Sequence, residues 1–160
     1  MKRGVNKTKG FTLLEILLVV AAIAILAGIV ILALNPTKQL GDTRNAQRRS
    51  DVNTILNGVY QYAIDNSGSF PTNIDSVTTS AQVLGTAGSG CDTTCTATTT
   101  VAACADITSD LVSTYLVGIP SDPSDGSVTN TDYYIDKDVN GRITVGSCDA
   151  EQSAVIEITR

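Results

Sequence analysis

The sequence has no histidine and no tryptophan, and only two phenylalanines and five tyrosines. Without histidine, the commonest general base near neutral pH and the commonest zinc ligand are both missing. Catalysis would have to rest on a carboxylate pair or a lysine, and no spacing singles out either. The chain therefore reads as a non-enzyme; a membrane-anchored carboxylate hydrolase, marked by two acids converging in a cleft, is the remote alternative. Scarce aromatics leave the core to small aliphatic side chains. Acids are missing from residues 1–10, "MKRGVNKTKG", which hold Lys2, Arg3, Lys7 and Lys9. The whole chain carries 11 basic and 16 acidic side chains, a formal charge of −5. Setting the four leading cations aside leaves seven against sixteen, so the rest of the chain stands at −9. An acidic body lacks the basic stripe that nucleic acid requires, and no direct nucleic-acid site is visible.

What is present in excess is an apolar run. Residues 11–34, "FTLLEILLVVAAIAILAGIVILAL", contain one charge, Glu15. The run exceeds the roughly 7–15 apolar residues of a secretory signal and suffices for the roughly 20 that span a bilayer as a helix. The basic decapeptide before it stays cytoplasmic by the positive-inside rule. A carboxylate in such a run is costly, about 2.5–3.5 kcal/mol at the centre of a membrane helix, so Glu15 calls for a partner. Setting residues 1–34 aside leaves 126 for one soluble module with its own core.

The stretch "KGFTLLEILLVVAAIAILAGIVI" resembles the N-terminus of type IV prepilins, of type II secretion pseudopilins and of competence pilins. The resemblance implies a leader of residues 1–10 removed by a dedicated peptidase after Gly10, with Phe11 as the new, N-methylated terminus. It makes Glu15 the family's glutamate. The Phe11 amine and Glu15 are then two opposite charges in one apolar medium, and each offers the other's partner between neighbouring subunits. A buried ion pair of this kind specifies register, because mispaired chains bury a lone charge.

The organisation that follows is a leader (1–10), a hydrophobic helix (11–36) that anchors in the membrane and later forms a fibre core, and a periplasmic or extracellular head (37–160). Pro36 and Gly28 predict a kink or melted stretch around 28–36; family members often place the breaking proline slightly earlier. Lys38, Arg44, Arg48 and Arg49 read either as contacts to headgroups and neighbouring subunits or as a solvated helix face. Val52, Ile55, Leu56, Val59 and Ala63 fall at helical spacing and predict a helix running to about 66, with Gly68 and Pro71 as breakers.

A variable Thr/Ser/Ala/Gly-rich loop (67–104) buries little on this reading, a short helix covers 106–116, and "TDYYID", "GRITVGSC" and "SAVIEIT" predict strands within 131–160. The expected fold is α+β: one long N-terminal helix packed on a small antiparallel sheet. The resemblance implies the same order, and "IPSDPSDG" before a tyrosine-rich strand resembles the C-terminal region of pseudopilins and some pilins.

Cys91, Cys95, Cys104 and Cys148 read as disulfides formed outside the cytosol. Three pairings are open: 91–95 with 104–148, 91–104 with 95–148, and 91–148 with 95–104. Sequence proximity favours the first; a metal site made of cysteines alone fits an oxidising compartment poorly. "DKDVNGRITVGS" has half of a calcium loop in Asp136, Asp138 and Asn140, with Gly141 at the turn and Ile143 behind it. The acidic twelfth position holds Ser147 and the next acid is Asp149, so a metal-free Asn-Gly hairpin competes with a calcium site. Calcium sites occur near this position in some pseudopilins. Beyond calcium, no cofactor is indicated.

The function these readings converge on is a structural subunit that self-assembles through its N-terminal helix into a surface type IV pilus, serving adhesion, motility or DNA uptake. A major pseudopilin of a type II secretion system is the alternative. The disulfide-prone loop at 78–104 suits an exposed fibre surface, whereas "IPSDP" leans to the pseudopilin. The implied partners are further copies of the chain in a helical filament, the prepilin peptidase and methyltransferase, an assembly platform, and the cytoplasmic membrane before assembly.

Overall fold

The computed structural model describes residues 10–75 and 80–160. The leader expected at 1–10 lies, apart from Gly10, outside the described residues. The chain divides into two compact units, residues 1–39 and 40–160.

In the first unit, helix α1 (Leu13–Leu34) starts at Thr12, whose extended backbone and side-chain oxygen cap the first turn. The Thr12 hydroxyl oxygen accepts the Glu15 amide at 3.2 Å. Twenty-two residues rise about 33 Å, enough to cross the hydrocarbon of a bilayer. No α1 side chain is buried within the chain, so its apolar surface is left for lipid or other chains.

The melted stretch expected at 28–36 is confined to one residue. Helix α1 runs through Gly28 to Leu34, and Asn35 alone takes a left-handed conformation (φ 40°, ψ 75°). Proline at position 36 disfavours right-handed helix at its predecessor, and asparagine tolerates the left-handed region better than most residues. Pro36 then opens helix α2 (Pro36–Asp65), at a position where its missing N–H costs nothing. The Gln39 side chain donates to the Leu34 carbonyl at 2.9 Å, satisfying one of α1's orphan acceptors.

In the second unit, Val52, Ile55, Leu56 and Val59 of α2 are completely buried and Ala63 nearly so, as their spacing predicts. They pack on an antiparallel sheet of four strands in the order β1 (Gln82–Val83), β2 (Tyr133–Lys137), β3 (Ile143–Ser147) and β4 (Glu157–Thr159). Alternation divides β2 between two cores. Tyr133 and Ile135 join the helix side with Ile143 and Val145, while Tyr134 joins Val83, Cys91 and Cys148 in a second cluster. Gly146 stands opposite Tyr134 in the register, and a side chain there would strike the tyrosine ring.

The loop expected to bury little is thus a working layer of the head. Ala81, Val83, Leu84, Cys91 and Thr100 are all buried, and isolated parallel bridges tie Ala81 to Thr100 and Leu84 to Ala105. The disulfides are Cys91–Cys104 and Cys95–Cys148, which corrects the 91–95 with 104–148 pairing favoured by sequence proximity. The Cys91 amide donates to the Ala102 carbonyl and the Cys104 amide to the Ala87 carbonyl. These two segments run side by side and hold the Cα atoms of Cys91 and Cys104 at 5.5 Å. Cys95, beyond the 3-10 turn Cys91–Thr93, lies 4.6 Å (Cα to Cα) from Cys148 just past β3. Closing loops of 13 and 53 residues contributes on the order of 3 and 4 kcal/mol in the chain-entropy model.

The helix expected at 106–116 is only one turn, α3 (Thr108–Leu111). Val112 is extended and Ser113 has φ 74°, which brings Leu116 against Gly58 and the Tyr115 ring to 6.0 Å from Tyr62, both on α2.

Candidate functional site

Two regions carry the chemistry. The first is the start of α1. Gly10, Phe11 and Glu15 are all exposed, with the Gly10–Phe11 bond outside the helix that begins at Leu13. Sequence reading missed Thr12 as a structural element. The signal was present as Thr-x-x-Glu ahead of an apolar run, the pattern of a helix N-cap.

The second is a polar seam fastening α2 to the sheet side of the head. Arg48 and Asp122 both have 0 % exposed side chains and form an ion pair, Nε to Oδ2 at 2.6 Å. Arg48 Nη2 also donates to Asp122 Oδ1 at 2.8 Å and Ser124 Oγ at 3.0 Å. Its Nη1 donates to Glu151 Oε2 at 2.8 Å and Asn45 Oδ1 at 3.0 Å. All five guanidinium donors are therefore occupied. The hydrogen bond to Asp122 holds the Arg48 pKa above its ordinary value despite the opposing effect of burial.

Around this pair, Arg44 forks onto Glu151. The Asn45 side chain and the Glu151 backbone exchange two bonds of 2.9 and 3.0 Å. The Tyr133 hydroxyl donates to Asp51 at 2.8 Å. Neither sequence reading of Arg44 and Arg48 holds: they are internal fasteners, not headgroup contacts or a solvated face. The signal was Arg48's position one turn before Val52 on the buried stripe.

Glu151 is held down to about 2 from 4.5, first by its hydrogen bond from Arg44 and then by that from Arg48. A carboxylate whose folded pKa is depressed contributes stability above its unfolded pKa and loses it as pH falls through the folded value. Head stability should therefore decline between about pH 4.5 and 2, and Glu151→Gln should flatten that decline while lowering stability at pH 7. Chemical unfolding at pH 7, 4.5 and 3 measures both effects.

The segment read as either a metal-free Asn-Gly hairpin or a calcium loop folds as a hairpin turn. Asp138 Oδ1 accepts the Asn140 and Arg142 amides at 2.8 and 2.9 Å, its Oδ2 accepts Arg142 Nε at 2.7 Å, and Gly141 adopts φ 82°. These bonds, chiefly that of the Arg142 amide, lower the Asp138 pKa. Asp136 sits in β2 opposite Thr144, and Asn140 is exposed. Among the described residues, the acids that converge are Asp125, Asp132 and Asp149, one oxygen of each lying within 4.8 Å of the others. Of the four ligands proposed from the sequence, only Asp149 belongs to that group. Burial first, then the charges of Asp125, Asp149 and Asp122, push Asp132 up to about 6.

Comparison with known proteins bears on the first region alone. The family described as prokaryotic N-terminal methylation motif matches residues 5–31. Neither a curated protein nor a solved structure matches the chain. Through Gly10, Phe11 and the apolar helix that follows, the chain carries the N-terminal methylation motif, the class-III leader of type IV pilins and pseudopilins.

Proposed function

We propose that this chain is a structural subunit of a type IV pilus, cleaved after Gly10, methylated on Phe11, held in the cytoplasmic membrane by α1 and then assembled into a surface filament. The observation that carries the reading is the methylation motif at residues 5–31 continuing into a helix with no side chain buried in its own chain. Such a surface needs lipid in one state and neighbouring helices in the other. Within the filament, the Phe11 amine of one subunit pairs with Glu15 of the next, so that neither charge is buried alone.

The head supports a fibre exposed to solvent. Its Thr-rich loop covers one sheet face, is fastened by both disulfides, and leaves Thr93, Thr94, Thr96 and Thr99 exposed. An oxidising exterior suits that construction. Electron microscopy of shed surface material, labelled with an antibody to the head, should show long fibres containing this chain at ordinary expression. Secretion competence lost in a deletion strain that makes no such fibres would favour the pseudopilin instead.

A further inference from the structure

We propose that the head binds one calcium ion through Asp125, Asp132 and Asp149, a site separate from the β2–β3 hairpin loop. The three acids come from different segments: the turn after Asp122, the residue before β2, and the residue after Cys148. Backbone bonds fix their approach. The Asp122 amide donates to Thr131 O at 2.9 Å, the Gly126 amide to Asp122 O at 3.2 Å, and the Cys148 amide to Asp132 O at 2.9 Å. The Cys95–Cys148 disulfide anchors the third segment.

Acidic clusters are common without an ion, but Asp132 is not an ordinary surface acid. It is 5 % exposed, and its Oδ1 is buried with no hydrogen-bond partner. An uncompensated buried carboxylate oxygen is costly, and here the carboxylates of Asp125 and Asp149 converge on the same side chain. Arg48 donates no hydrogen bond to the cluster, because it spends all five donors on Asp122, Glu151, Asn45 and Ser124. The groups that favour the charged forms at the cluster are hydroxyls, Thr94 toward Asp132 and Thr96 toward Asp149, with Arg48 acting on Asp149 only through space. A divalent cation supplies what the protein does not.

Oxygen-only donors select a hard cation. Two oxygens bound to one calcium at roughly 2.3–2.6 Å stand at most about 4.6–5.2 Å apart, and the three carboxylate oxygens, all within 4.8 Å of one another, lie inside that limit. Calcium's tolerance of irregular geometry suits three acids from separate segments better than magnesium's strict octahedron. Calcium takes roughly 6–8 oxygen ligands, so water would complete the shell around the three carboxylates.

The test uses the full-length chain in detergent, stripped with EDTA and titrated with calcium chloride by calorimetry, with melting followed by near-UV circular dichroism. Wild type should bind one calcium per chain and melt roughly 5–10 °C higher at a hundredfold excess over Kd. Asp125→Asn changes an exposed side chain, and should raise Kd about tenfold or more while leaving the EDTA melting point unchanged. Asp132→Asn removes the buried charge, so it should melt higher than wild type in EDTA and gain nothing from calcium. Asp138→Asn should keep the wild-type Kd within about twofold, since its carboxylate serves the hairpin. No calcium heat in wild type would overturn the proposal. So would a calcium response that survives both Asp125→Asn and Asp132→Asn, or one that Asp138→Asn abolishes.

Discussion

Arg48→Met should lower head stability by about 3–5 kcal/mol, the cost of leaving one member of a buried ion pair without the other. Asp122 has no exposed side-chain surface to rehydrate its stranded carboxylate, and typical domains hold only about 5–15 kcal/mol in total. The head would therefore sit near its unfolding threshold at 37 °C. Arg48→Lys should be damaging too: lysine carries three donors on a point charge and cannot fork onto Asp122 while reaching Glu151, Asn45 and Ser124. The double change Arg48→Met with Asp122→Leu should recover much of the loss, because an apolar pair is often no worse than the ion pair it replaces. Urea midpoints of the three variants measure this. A single-variant loss under about 1 kcal/mol, the value of an exposed pair, would show that the seam does not fasten α2.

Glu15→Leu should abolish filament formation while leaving the head's melting temperature unchanged. Glu15 lies in the first unit and α1 buries no side chain against the rest of the chain, so head folding does not involve it. Removing a charge from the apolar run also eases membrane insertion. In the fibre, every Phe11 amine would be buried without its partner, at about 3–5 kcal/mol for each broken pair. Repeated along the filament, that loss excludes homopolymers and admits mutant chains only beside wild-type ones. Glu15→Asp keeps the charge but is one methylene shorter, and partial assembly is expected. Wild-type fibre yield from Glu15→Leu at equal membrane levels would remove the pairing role.

How much of this was legible in the sequence differs by region for physical reasons. Local periodicity and punctuation exposed α2's buried stripe from Val52 to Ala63, the three strands after Asp132 and the Asn-Gly turn, because each depends on neighbours a few residues away. The short strand β1 was hidden in Thr/Ser/Ala/Gly-rich sequence, since its burial comes from Tyr134 and the disulfide layer and not from its own composition. Disulfide pairing depends on residues 87–91 running beside 102–104, which no spacing of cysteines encodes. Arg48 illustrates the same limit. An arginine is ordinarily a surface residue, and its buried partner Asp122 lies 74 positions away. The convergence of Asp125, Asp132 and Asp149 was hidden for a related cause: a linear loop template groups consecutive residues, whereas these three acids come from separate segments.

The central claim is that residues 1–10 are a leader and that Phe11 is the working terminus. Intact-mass spectrometry of the mature chain, isolated from cells with shed surface material, tests it most directly. The expected mass is that of residues 11–160, 150 residues in length, with both disulfides closed and one methyl group on the Phe11 amine. Gly10→Val should leave only the uncleaved chain, confined to the membrane. A wild-type mature protein beginning at Met1, or one cut beyond the apolar run after Ala33, would contradict the account.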